Sequence, residues 1–246
     1  MRAGRKASEE LSAYYFLMRN VAEYSKGDSN TTEEKIRVLL LVGAPGSGKG
    51  TQGRIIGMLP GFCHCSCGEV FRSVDLNTKT GKEFLEYSRE GRLMPDALTI
   101  EVWRGYIKTL VDKGRIDPKK DVLVLDGIPR NLSQAQLIEP YIRVVHVFHL
   151  YCPSRGHLIE RVRKRAMKEG RVDDADESVI NHRLDQYESD VQSLLKFYKS
   201  EIVQKIDAIR SADIILRDVL DSIISERTCF PLENHGGAHL RMDWGR

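Results

Sequence analysis

The stretch Gly43-Ala44-Pro45-Gly46-Ser47-Gly48-Lys49-Gly50-Thr51-Gln52 follows directly on the apolar run Ile36 to Val42. A buried strand that ends in a glycine-rich loop and then opens a helix leaves few folds available. The loop has to let successive backbone N–H groups point inward at a single anion. The glycines permit that turn, the helix opening near Lys49 adds the positive end of its dipole, and the lysine ammonium can reach the outer oxygens of a polyphosphate. Gly46, Ser47, Gly48, Lys49, Gly50 and Thr51 are therefore read as a phosphate-binding loop. The general pattern of such loops puts Ser or Thr after the lysine, whereas Gly50 stands there in this chain.

Composition narrows the class further. The 246 residues, 41% of them hydrophobic, are enough to bury a sizeable core in one large domain or two small ones. The longest apolar runs, Val38 to Val42 and Val144 to Cys152, fall far short of the roughly 20 residues that a membrane span needs, and Ala13 to Met18 is too short for a signal sequence. A net charge of +3, from 38 basic and 35 acidic residues, is too small to imply a duplex-binding face, so no nucleic-acid or membrane partner is expected. Five cysteines, three of them crowded at Cys63, Cys65 and Cys67, do not form a disulfide pattern, and a reducing cytoplasm fits best. Cys63-His64-Cys65-Ser66-Cys67 invites a zinc reading, but alternate residues of a strand do not converge tetrahedrally, so no zinc site is expected.

From Ile36 onward, strand-length apolar runs alternate with amphipathic stretches. Ile36 to Val42, Phe62 to Cys65, Val122 to Leu125, Val144 to Leu150 and Ile202 to Ile206 read as strands; Pro95 to Val111, Ser154 to Lys168 and Glu177 to Lys199 read as helices. Such alternation predicts an α/β protein with a parallel sheet covered by helices on both faces. Glu69 to Lys113 is nearly strandless and predicts a helical subdomain beside the sheet. Residues 1 to 35 read as an extension, a helix with Leu11, Tyr14, Tyr15, Met18 and Val21 on one face followed by a polar linker; residues 225 to 246 read as a loosely ordered tail.

Four downstream segments repeat the phosphate theme in order: His64-Cys65-Ser66-Cys67-Gly68-Glu69-Val70-Phe71-Arg72, Gly91-Arg92-Leu93-Met94-Pro95-Asp96, Asp126-Gly127-Ile128-Pro129-Arg130, and Arg161 and Arg165 followed by Arg171-Val172-Asp173-Asp174. Together with the G-x-x-x-x-G-K-G-T loop they resemble the nucleoside monophosphate kinases, and adenylate kinases in their short-lid form above all. The resemblance covers roughly residues 36 to 222. It implies a three-layer αβα P-loop kinase fold with a central parallel five-stranded sheet, a helical monophosphate-binding subdomain over about residues 66 to 113, and a short lid over about residues 165 to 174, within a kinase domain of residues 36 to 224.

The resemblance also implies roles. Gly46 to Thr51 would bind ATP phosphates, with Arg161 stacked on the ATP base and Arg165 on its phosphate. Arg72, Arg130, Arg171 and Arg183 would hold the AMP phosphate, and a guanidinium suits that task because its planar fork bonds phosphate oxygens in pairs. Cys67, Arg92, Leu93, Met94, Gly127, Ile128, Pro129 and Gln134 would line the AMP site, Gln134 reading adenine through its amide. Asp126, at the end of a buried strand, would orient water on a Mg²⁺ ion carried with ATP. Lys49, Asp126, Arg130, Arg165, Arg171 and Arg183 would form the catalytic set. A soluble, monomeric enzyme with ATP and AMP as its partners is expected.

Two departures bear on base choice. Cys67 stands where adenylate kinases have Thr and UMP/CMP kinases have Ala, and Glu69 stands where Asp is common, Glu being frequent in pyrimidine-specific relatives. A UMP or CMP kinase therefore stays open as an alternative, as does a noncatalytic nucleotide-binding module that engages a partner through its terminal extensions.

Overall fold

A computed structural model describes residues 35–72, 74, 79–90, 92–169 and 176–225. The expected N-terminal helix, the C-terminal tail and the second half of the expected lid (residues 170–174, Arg171 included) lie outside the described residues. Five strands, β1 (Ile36–Gly43), β2 (Phe62–Ser66), β3 (Val122–Asp126), β4 (Ile142–Tyr151) and β5 (Val203–Asp207), form one sheet in the order β2-β3-β1-β4-β5. Every adjacent pair is parallel. Helices α1 (Lys49–Ile56), α2 (Cys67–Arg72), α3 (Lys79–Arg89), α4 (Asp96–Asp112), α5 (Leu132–Ile138), α6 (Arg155–Glu169), α7 (Glu177–Phe197) and α8 (Ala212–Ser225) flank it.

The continuous apolar runs of the central strands follow from burial on both faces. Along β1, Val38, Leu40 and Val42 enter a core shared with α2, α4, α5 and α7, while Leu39 and Leu41 enter a second core shared with α1 and α8. β3 divides likewise, Leu123 and Leu125 to the first side and Val122 and Val124 to the second. A smaller cluster of Ala44, Leu158, Val162, Ile180 and Leu184 clamps α6 and α7 against the glycine loop.

After β1 the chain crosses to the sheet edge at β2, returns to β3 beside β1, and only then passes to β4 on the far side. The sheet thus reverses its winding at β1. In open parallel sheets a ligand crevice opens at such a switch point, beyond the carboxyl ends of the strands, and that is where the glycine loop lies. All five strands read from the sequence are present, with β4 starting two residues early and β5 preceded by a short 3₁₀ turn over Ser200–Ile202. Helices α5 and α8 were not separately read from the sequence. α5 spans only seven residues, too few to show a helical period.

Candidate active site

The loop is built by backbone constraints. Gly46 and Gly48 have φ of 82° and 96°, left-handed values at which a side chain would be strained, and Gly48 caps α1. A Cβ on Gly50 would lie 3.3 Å from Asp126 Oδ2, so a side chain at this position, where the general pattern has Ser or Thr, would crowd the carboxylate. Helix α1 thereby approaches the end of β3 closely, and the lysine and the aspartate share one wall.

That wall belongs to a cleft of about 660 Å³. Gly46, Ser47, Gly48, Lys49, Gly50 and Thr51 form its floor; Cys67, Arg92, Leu93 and Met94 come from the α2 to α4 side; Asp126, Gly127, Pro129, Arg130 and Gln134 come from the end of β3 and from α5; Arg161, Arg165 and Arg183 come from α6 and α7. The cations expected from separate parts of the chain are thus brought to one cavity. Two are not placed: the Arg72 side chain and Arg171 lie outside the described residues. Ile128 is fully buried in the first core, away from the cleft wall, so any contact it makes with a ligand would have to come through its backbone.

Lys49 Nζ donates to the carbonyls of Gly43 at 2.7 Å and Ala44 at 3.0 Å, folding its ammonium back over its own loop. Burial pushes its pKa down to about 8, against the opposing pull of Asp126 and with further lowering from Arg130 and Arg165. At Asp126, burial works against ionisation, but the His64 imidazole and the charges of Lys49 and Arg130 outweigh it and hold the carboxyl below its ordinary value. His64 Nε2 stands 3.9 Å from Asp126 Oδ2, beyond hydrogen-bond reach.

Several arginines are oriented by their neighbours. Arg130 Nε donates to the Gly127 carbonyl at 2.9 Å. Arg161 donates to the carbonyls of Ala208 at 2.6 Å and Ile209 at 3.1 Å, which fastens α6 to the turn after β5. Arg92 is paired with Glu90 and lies over the Tyr87 ring, 4.6 Å from its centroid. On the same side of the cleft, the Phe71 and Phe84 rings stack at 5.4 Å.

The cleft also holds residues that motif reading passed over. Lys164 and Lys168 lie on the same stripe of α6 as Arg161 and Arg165, and continuing the three-and-four spacing would have found them. Tyr187, on the cleft wall, shares a 2.8 Å hydrogen bond with His149 of β4. Burial and the charges of Lys205 and Lys49 depress the His149 pKa to about 4, so the ring is neutral at physiological pH. Nothing in the local sequence signals that pair.

Asp126 meets the requirements for holding a hard divalent cation: it is a carboxylate held below its ordinary pKa, beside the phosphate loop and on the cleft wall. Among the described residues there is no cluster of three or more His, Cys, Asp or Glu side chains placed to hold a metal. Nor is any helix among them long and apolar enough to cross a membrane.

A phosphate loop at the winding reversal of a five-stranded parallel sheet, opening into a cleft lined with lysine and arginine, defines the α/β P-loop nucleotide kinases. The adenylate kinase family model matches residues 41–203. The chain is similar to adenylate kinases from Prochlorococcus marinus strain MIT 9301 (33% identity over 190 residues, 74% of this chain and 95% of that one) and Leptospira biflexa (34% over 192 residues, 75% and 98%). It is also similar to the adenylate kinase of Porphyromonas gingivalis strain W83 (36% over 166 residues, 65% and 81%). The chain belongs to the adenylate kinase family, transferases of the nucleoside monophosphate kinase class.

Proposed function

We propose that this protein catalyses the reversible, Mg²⁺-dependent transfer of a phosphoryl group from ATP to AMP, giving two ADP. The observation that carries the reading is the convergence of Lys49, Arg130, Arg161, Arg165 and Arg183 on the cleft floored by the glycine loop. Two polyanions can be brought together there only if fixed positive charge offsets their repulsion. No general base is needed, because a phosphate monoester with a second pKa near 6 is already mostly dianionic at neutral pH.

In this reading Gly46 to Thr51 cradle the donor phosphates by backbone N–H groups. Lys49 leaves its own loop carbonyls to bond the outer phosphate. Arg161 flanks the donor base while bracing the turn after β5, and Arg165 and Arg183 neutralise charge on the group in transit. Arg130, with Arg72 and Arg171, grips the acceptor phosphate. Cys67, Leu93, Met94, Gly127, Pro129, Gln134 and the backbone of Arg92 enclose the acceptor base, with Ile128 supporting that wall from the core. Catalysis then comes from in-line positioning and electrostatic stabilisation in a cavity closed to water. Asp126 would hold Mg²⁺ through water, and the ion would supply further neutralisation of phosphate charge. The acceptor-side subdomain over about residues 66–113 and a lid over about residues 165–174 close on the nucleotides in this reading, and the enzyme works as a cytoplasmic monomer.

Cys67 on the acceptor wall, in place of a hydroxyl donor, supports a pyrimidine monophosphate kinase as the second reading. Initial rates with AMP, CMP, UMP and GMP, with ATP as donor, separate the two. AMP is expected to give the highest kcat/KM. A higher value for CMP or UMP would overturn the first reading, and turnover of none of the four would return the chain to the noncatalytic alternative.

A further inference from the structure

An amide side chain alone cannot tell an amino base from a keto base, because a half-turn exchanges its donor and acceptor ends. Gln134 is not free to make that turn. It is 1% exposed, and its Oε1 accepts from the Arg130 backbone N–H at 2.8 Å, a group that can only donate. Its Nε2 donates to Asp96 Oδ1 at 2.8 Å, and a carboxylate can only accept. Asn131 fixes Asp96 in turn: its Nδ2 donates to the same Oδ1 at 3.1 Å, while its Oδ1 accepts from the Gln134 backbone N–H at 2.8 Å. Turning the Gln134 amide would set an NH₂ against the Arg130 N–H and a carbonyl against the carboxylate, two repulsive contacts around a side chain that is itself buried.

Each end of the locked amide retains half its capacity, one N–H on Nε2 and one lone pair on Oε1, and Gln134 contributes to the cleft wall. The complementary edge carries an amino donor next to a ring-nitrogen acceptor. Adenine and cytosine present that edge; hypoxanthine, guanine and uracil present a carbonyl next to an N–H, the reverse pattern. We propose that Asp96, acting with the Arg130 backbone, is a specificity-determining positioning residue that holds Gln134 in the orientation for amino nucleobases, so that the acceptor site takes AMP, and CMP before UMP, while rejecting their keto counterparts. The proposal rests on the reading of this cleft as a nucleoside monophosphate acceptor site.

The test is a comparison of kcat/KM for AMP against IMP and for CMP against UMP, each pair measured on one enzyme preparation, in the wild-type protein, Asp96→Ala and Asp96→Asn. A ratio on one preparation cancels the folded fraction, so a merely structural loss leaves it unchanged. In the wild type, AMP is expected to exceed IMP by roughly a hundredfold or more, as for a site whose buried polar groups are left unpaired by the wrong substrate. CMP is expected to exceed UMP in the same sense. Asp96→Ala releases one of the two locks and should narrow the AMP to IMP ratio about tenfold. Asp96→Asn, which keeps the shape but offers Gln134 an amide that can face either way, should narrow it in the same direction. Wild-type turnover of IMP within tenfold of AMP, or an unchanged ratio in both variants, overturns the proposal while leaving the acceptor site standing. Loss of turnover with every monophosphate in the wild type overturns the acceptor-site reading itself.

Discussion

At Lys49, burial at the loop depresses the pKa to about 8. A bound polyphosphate favours the charged ammonium and raises that value. ATP binding at pH 8.5 to 9 should therefore take up protons, and at pH 6, where the lysine is already charged, this contribution should vanish. Calorimetry in buffers of different ionisation enthalpy reads the difference, and Lys49→Met should abolish it. The same variant removes a donor aimed at the transferring phosphate and is expected to lower kcat by about 10³-fold; near-normal turnover would exclude the role given to Lys49. At this scale the sequence was most legible, because the glycine loop is a contiguous string whose spacing is its geometry. Ile128 shows the limit: it sits inside a motif, yet its side chain belongs to the core.

Among the elements, α6 ties the donor side together. Arg161, Lys164, Arg165 and Lys168 form one stripe facing the cleft, and Val162 on another face packs into the cluster behind the loop. Replacing Lys164 and Lys168 together by Ala should raise the KM for ATP several-fold and flatten its salt dependence, with kcat retained, because these charges attract the nucleotide without being assigned contact with the transferring group. Steady-state kinetics at 50 and 300 mM salt would decide. In β3, Leu125 is fully buried between helices and sheet. Leu125→Ala should cost about 3 kcal/mol of stability, read from the urea midpoint. Strand-length apolar runs announced the sheet because parallel strands are buried on both faces. The seven residues of α5 announced nothing, and that helix carries Gln134.

At the scale of the whole molecule, one buried histidine of the central sheet bears on acid stability. His149 has a folded pKa near 4, below the ordinary histidine value of about 6.5 in the unfolded chain. Between those values the unfolded chain binds the extra proton, so the stability this neutral ring supports is complete above about pH 6.5 and is lost as pH falls towards 4. The contribution is at most about 3 kcal/mol, reduced by whatever solvent screening the ring retains. Urea unfolding followed from pH 7 to pH 4 should show a steeper decline for the wild type than for His149→Gln, which cannot gain a proton. Parallel slopes would mean that the histidine is not buried in neutral form.

Local chemistry was decided by the order of residues alone: a glycine loop after an apolar strand, alternating strands and helices, and arginines spaced to share a helix face are properties of short segments, written in the backbone periods of 2 and 3.6. The tertiary structure alone decided which polar groups meet. Gln134 and Asp96 lie 38 residues apart, as do His149 and Tyr187, and each pair bonds at 2.8 Å only because helix docking and sheet register bring its two members together. A hydrogen bond depends on distances of tenths of an ångström between side chains on separate elements, and no local pattern encodes such a distance.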